Sequence, residues 1–241
     1  MSVHYLVYEL QSDGSIHNWL LAGPQTIPVA DVDFSDKHDL REQLAHYCHA
    51  EGSGVEEPPQ EWEPPFYVDG AAFRWRYTSC LDDHFVDVSS YQRSCCHVRS
   101  WAYAEVDWPQ AHEVTFALTT YGPADLWLDN QHVHCQDCPD YQRPYTARFK
   151  ATLHQGQNQI LVRFEQVGIG DCPCAMALKI EGLPSEEVKV MLPTIVEDVS
   201  RRQVLERVID AAYLDRGLYR RDDDILFHLL LIALNPSVVR D

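Results

Sequence analysis

The chain is short of basic residues. Lys and Arg total 19 against 37 Asp and Glu, which gives a formal net charge of −18. That balance weighs against nucleic acid and anionic membrane surfaces as partners, because both require a basic face. Long hydrophobic runs are missing too. No stretch approaches the roughly 18 apolar residues of a membrane span. No basic segment followed by an unbroken apolar core opens the sequence, so no secretory signal is read. The expected compartment is the cytoplasm. Several catalytic signatures are also lacking: Gly-x-Ser-x-Gly, the phosphate loop Gly-x-x-x-x-Gly-Lys, and His-Glu-x-x-His. What the chain has is 241 residues with 45% apolar content, enough for a folded core.

Residues 4–10 read as a strand, rich in aromatic and β-branched side chains. Asp13-Gly14 supplies a turn, and residues 16–21 read as a second strand ending at Gly23-Pro24. Residues 36–48 fit a short helix with Leu40, Leu44 and Tyr47 on one face. Residues 50–65, with their prolines and glutamates, read as an acidic loop. From 66 to 181 the pattern is all β. Phe73, Trp75 and Tyr77 alternate with arginines. Strands are expected over 98–107, 113–120, 125–128, 146–153, 159–166 and 175–180, and Asp129-Asn130 suits a tight hairpin. Alternation assigns Trp75, Tyr77, Trp101 and Tyr103 to the core face. Short strands separated by turns predict a sandwich or barrel and not a βαβ fold.

After Gly182-Leu183-Pro184 the composition changes. Thr194 and Glu197 form a possible capping box, and Val204, Leu205, Val208, Ile209 and Ala212 recur at helical spacing. Asp222-Asp223-Asp224 opens a second helix that is apolar on every side. Such a helix must be buried all round. It therefore points to further protein beyond Asp241, or to a partner or homo-oligomer gripped by residues 222–241. The domains expected are a β-sandwich over 1–184 and a helical segment over 185–241.

Several stretches carry a family likeness: Trp19-Leu-Leu-Ala-Gly-Pro24, Phe85-Val-Asp-Val88, Trp101-Ala-Tyr-Ala-Glu105, Gly122-Pro-Ala-Asp-Leu-Trp-Leu-Asp-Asn130, and Gly156-Gln-Asn-Gln-Ile-Leu-Val-Arg163. Over about residues 15–181 the chain resembles the galactose-binding-like jelly-roll domains attached to glycoside hydrolases. The resemblance implies a mainly β jelly-roll sandwich. It also implies an accessory role, in which the domain contacts carbohydrate or braces a C-terminal catalytic domain. Asp129-Asn130-Gln131 departs from the usual Asn-Gly hairpin, and the cysteine clusters are foreign to the pattern.

Those clusters are the most distinctive motif. Cys135 and Cys138 form a Cys-x-x-Cys beside His132 and His134, and Cys172 and Cys174 form a Cys-x-Cys. Four thiolates from two loops suit a closed, structural zinc site. In a reducing compartment metal is the first reading, with disulfides and unpaired thiols as alternatives. His97, Cys95 and Cys96 are possible substitute ligands. Cys48 and Cys80 read as buried small apolar residues. Sugar faces stack on aromatic rings flanked by hydrogen-bonding groups. Trp62, Trp108, Tyr141 and Tyr145, at loops or strand ends, are the candidate platform, with Asp82, Asp83 and His84 as polar partners. The runner-up readings are a glycoside hydrolase acting through Asp82 or Asp83, and a protein-interaction domain docking through its last helix.

Overall fold

The structure, a computed structural model, describes residues 4–29, 48–49, 52–55, 59, 65–137 and 143–194. The chain divides into a compact unit over Met1–Ile195 and a second over Val196–Asp241. The short helix expected over 36–48, apart from its last residue, most of the acidic loop, both C-terminal helices, Trp62, Cys138 and Tyr141 lie outside the described residues.

Among the described residues, fourteen strands alternate with turns in the order β1 His4–Glu9, β2 Asn18–Pro28, β3 Phe66–Val68, β4 Ala71–Phe73, β5 Arg76–Ser79, β6 Val86–Asp87 and β7 Ser90–Trp108, then β8 His112–Thr120, β9 Ala124–Leu128, β10 Gln131–Gln136, β11 Tyr145–Leu153, β12 Gly156–Cys172, β13 Ala175–Glu181 and β14 Lys189–Thr194. The protein is mainly β, a sandwich as expected. The larger sheet runs β1-β14-β7-β12-β9-β10, with β2 against β7 and β5 against β2. The smaller sheet runs β11-β8-β13-β6, and β3-β4 is a separate hairpin.

Strand β14 moves the expected boundary at 184. Val190 and Leu192 are buried, and the strand fits between β1 and β7, so the sandwich continues to Thr194. Thr194 pairs with His4 at the end of that strand, so the proposed helix cap is a strand residue. Pro193 lies beyond Met191, where pairing to β7 stops, so no ladder to β7 needs an N–H from it.

Side chains of β7 divide by parity, since successive residues of a strand point to opposite faces. Val98, Ala102, Ala104 and Val106 join Phe116, Leu118, Phe164, Met176 and Leu178 in one apolar core. The alternate positions are His97, Arg99, Trp101, Tyr103 and Glu105, all buried as well. Residues 52–55 and the β3-β4 hairpin cover Trp101: its Nε1–H donates to Ser53 O at 2.8 Å, and Phe73 packs against it at 5.4 Å. The aromatic alternation thus marked buried positions at Trp75, Trp101 and Tyr103, whereas Tyr77 is largely exposed.

Two turns depend on special residues. Asp129 and Asn130 take φ of 49° and 63°, the left-handed pair of a tight hairpin between β9 and β10. At Gly122, before β9, an added Cβ would stand 1.9 Å from Glu165 O, so only glycine fits.

Candidate functional site

Two polar clusters are candidates. The first lies at the turn between β5 and β6. His84 N–H donates to Leu81 O at 3.0 Å, and Phe85 N–H donates to the Asp83 carboxylate at 3.1 Å. This Asx-type turn holds His84 at a φ of 66°. His84 Nδ1 meets His17 Nε2 at 2.5 Å, and its Nε2 stands 3.9 Å from Asp13. Asp13 caps the neighbouring turn by accepting from Ser15 N–H and Oγ–H, and it pairs with Lys179. Burial alone would raise its carboxyl, but those partners prevail and hold it at about 2. Burial and the adjacent His84 lower His17, against a weaker upward pull from Asp13, Asp82 and Asp83. Phe85 and Tyr121 lie 5.8 Å apart, both half-buried. Thus Asp82, Asp83 and His84, named from sequence, belong to one exposed cluster. His17 and Asp13, far away in sequence, complete it.

The other nominated aromatics do not join this cluster as a platform. Trp108 is 6% exposed at the end of β7, so it is interior and that assignment is corrected. Tyr145 is 45% exposed on β11, in register with Thr120.

The second cluster crosses the larger sheet on the side opposite the apolar core. Register places Trp101, Arg163, Asp125 and Cys135 in one row across β7, β12, β9 and β10. A neighbouring row holds Gln25, Arg99 and Glu165. Buried Arg163 donates to Asp125 Oδ2 at 2.9 Å and to Gly52 O at 2.7 Å. Arg99 is held by Gln25 and by Asp69 of the β3-β4 hairpin. The loop residue His49 closes the group. Its Nδ1 is 2.8 Å from Asp125 Oδ2, its Nε2 is 2.8 Å from Asp137 Oδ1, and its backbone N–H donates to Glu165 at 2.9 Å. His132 Nε2 lies 2.8 Å from the other Asp125 oxygen.

A bulge assembles this row. Strands β9 and β10 slip register between His132 and His134. Residues 132 and 135 are an odd number apart, so a regular strand would send them to opposite faces. The bulge brings His132 opposite Trp127 and Cys135 opposite Asp125, on one face. His134 turns the other way and stacks on Phe149 at 4.0 Å.

Burial raises the Asp125 carboxyl, but His49 and Arg163 outweigh it and hold Asp125 well below the usual range. Hydrogen bonding to Asp125, offset in part by burial, raises His49 to about 9. Burial and the Asp125 charge push the Cys135 thiol up to about 12. Glu165 is lowered: burial opposes this, and His97, Arg163 and the His49 amide overcome it.

The seven described cysteines are free thiols, and only Cys135 is exposed. Cys135 does not group with Cys172 and Cys174 as the four-cysteine reading required. Potential ligand atoms of Cys135, His49 and Asp125 lie within 4.8 Å of one another, as do those of Cys48, His97 and Glu165. Cys172 and Cys174 join no such group among the described residues, and both are buried. Strand β12 extends to Cys172, so that cysteine is a strand residue and not part of a loop, and the fourth cysteine of the motif, Cys138, lies outside the described residues. His49 and Asp125 carried no local signal. They become neighbours only through pairing of distant segments.

No protein-family model and no curated protein matches the chain. Among solved structures, it is similar to a family 35 carbohydrate binding module from Clostridium thermocellum, at 16% identity and a TM-score of 0.29, over 42% of this chain and 89% of that one. It is similar also to a GH31 α-xylosidase from Xanthomonas citri, at 13% identity and a TM-score of 0.35, over 78% of this chain and 19% of that one. A β-glucosidase from Kluyveromyces marxianus in complex with glucose matches at 11% identity and a TM-score of 0.36, over 56% of this chain and 19% of that one. The sandwich described above stands on its own strand pairing.

Proposed function

We propose that this domain is a non-catalytic carbohydrate-contact module whose sugar-facing groups are Asp82, Asp83 and His84, joined by His17 and Asp13. The observation that carries this reading is their convergence at one exposed turn beside the half-buried rings of Phe85 and Tyr121. A sugar presents hydroxyls that both donate and accept, together with an apolar C–H face. Carboxylates accept, Lys179 donates, imidazoles do either, and an aromatic edge receives the C–H face. The excess of carboxylates here, on a chain of net charge −18, favours neutral sugars over uronates. In this role the domain serves as an accessory to a catalytic carbohydrate-active domain.

The test is retention of the chain on a panel of immobilised neutral and acidic glycans, for wild type, Asp83→Ala and His84→Ala. The expected result is retention on a subset of neutral glycans, weakened about tenfold in each variant through loss of a hydrogen bond to a charged or polar partner. Absence of retention on every glycan, or variants that bind as wild type does, would overturn the proposal. So would turnover of aryl glycosides abolished by Asp83→Asn, which would make the cluster catalytic.

A further inference from the structure

The row on the larger sheet contains a combination of donors that the carbohydrate reading leaves unused. Cys135 Sγ stands 3.4 Å from His49 Nδ1, which stands 2.8 Å from Asp125 Oδ2. Thiol, imidazole and carboxylate thus converge from three separate segments: residues 48–49, β9 and β10. Ligand atoms around one tetrahedral zinc, at about 2.0–2.3 Å from the metal, are separated by roughly 3.3–3.8 Å. The Nδ1–Oδ2 distance lies about half an ångström below that range, and Cys135 Sγ, which also stands 3.9 Å from His49 Nε2, must swing towards the Nδ1 side of the ring to share one metal.

We infer that His49 through Nδ1, Asp125 and Cys135 form a binding site for a zinc-type divalent cation, with one coordination position left open to solvent or a ligand. Two further observations support a built site. The other imidazole nitrogen, His49 Nε2, is held by Asp137 at 2.8 Å. A carboxylate on the far nitrogen is the usual way a metal-binding histidine is oriented. Buried Arg163 donates to Asp125 Oδ2, the oxygen that also faces His49, and His132 meets the other oxygen. Metal-ligating carboxylates are commonly tethered in this way. The ligand set of nitrogen, sulfur and oxygen suits zinc over calcium or magnesium, which prefer oxygen alone. The bulge in β10 gains a purpose, since it aims Cys135 at Asp125. Binding displaces the Cys135 thiol proton and the hydrogen now shared by His49 and Asp125, both of which pass to solvent.

The experiment uses the full chain, stripped with chelator and then titrated with cobalt(II) and zinc(II). Absorption reports the metal, and circular dichroism reports the fold. The site predicts one cobalt per chain, a thiolate-to-cobalt charge-transfer band, and displacement of cobalt by zinc. Cys135→Ser should abolish the band. Asp137→Asn alters a carboxylate that is 77% exposed, so the fold should persist while affinity falls about 10–100-fold. Failure to bind cobalt or zinc at micromolar concentration would overturn the inference. It would also fail if the band survived in Cys135→Ser, above all if Cys172→Ser removed it instead. Each of these results leaves the carbohydrate reading unaffected, because that cluster shares no residue with this one.

Discussion

The two faces of β7 and β12 are built from the same strands and solve different problems. On one face Val98, Ala102, Ala104, Val162 and Phe164 belong to the apolar core, with Ser100 and Gln166 among the few buried polar residues beside them. On the other, His97, Arg99, Arg163 and Glu165 are just as buried. The apolar face is held together by area removed from water, which tolerates small changes of shape. The polar face is held by charges that need their partners, and losing one partner leaves another charge stranded in a poorly solvated place. Stability therefore spreads over many residues on the first face and concentrates in a few on the second.

The hardest break comes where the two faces share backbone. Gly122→Ala would place a methyl carbon 1.9 Å from Glu165 O. Strand β9 would have to leave β12, and little soluble, folded protein is expected on expression. Next in size is Asp125→Ala, which removes the partner of buried Arg163 and of His49. A loss of about 3–5 kcal/mol is expected by urea unfolding. Asp125→Asn keeps the shape but not the charge, and should recover part of that loss. If instead Asp125→Ala costs no more than an exposed substitution, the polar face carries no such concentrated load. A smaller effect is expected from Asn158→Ala. The Asn158 amide donates to Val106 O at 3.2 Å and His154 O at 3.0 Å, and its oxygen accepts from His154 N–H. Losing this clasp on the β11-β12 turn should cost about 1–3 kcal/mol in the same assay.

The smallest effect is one of pH, at the loop cluster. In the fold, His17 is lowered from 6.5 by burial and by His84, while Asp13, Asp82 and Asp83 pull it up less strongly. The unfolded chain therefore binds a proton near pH 6.5 that the folded chain resists. Stability from this residue is complete above that pH and is lost as the pH falls towards the folded value. His17→Asn should flatten this part of a stability-against-pH curve. A mutant curve parallel to that of wild type would show that His17 is not the cause.

The apolar face was legible in the sequence because alternation is local. Val114, Phe116 and Leu118 announce β8 at their own positions, and Asp129-Asn130 announces its turn. Asn158 was visible as part of Gly-x-Asn, although only the structure shows its amide clasping three backbone carbonyls. The polar face was not legible. His49 reaches Asp125 across 76 residues, and Cys135 meets Asp125 only because of a bulge. The Cys-x-x-Cys spacing drew attention to Cys135 but proposed partners, Cys172 and Cys174, that lie in the interior. For the loop cluster, Asp82, Asp83 and His84 were legible as an exposed acidic turn, whereas His17 was hidden because a lone histidine between Ile16 and Asn18 carries no pattern.

The most direct test of the account is titration calorimetry with the glycan that the chain retains best, comparing wild type, Asp83→Ala and His49→Ala. The account predicts that Asp83→Ala weakens binding about tenfold, as expected for one lost hydrogen bond to a charged group, while His49→Ala binds as wild type does. Loss of glycan binding in His49→Ala with Asp83→Ala unaffected would contradict it, and would move the carbohydrate site to the polar face of the larger sheet.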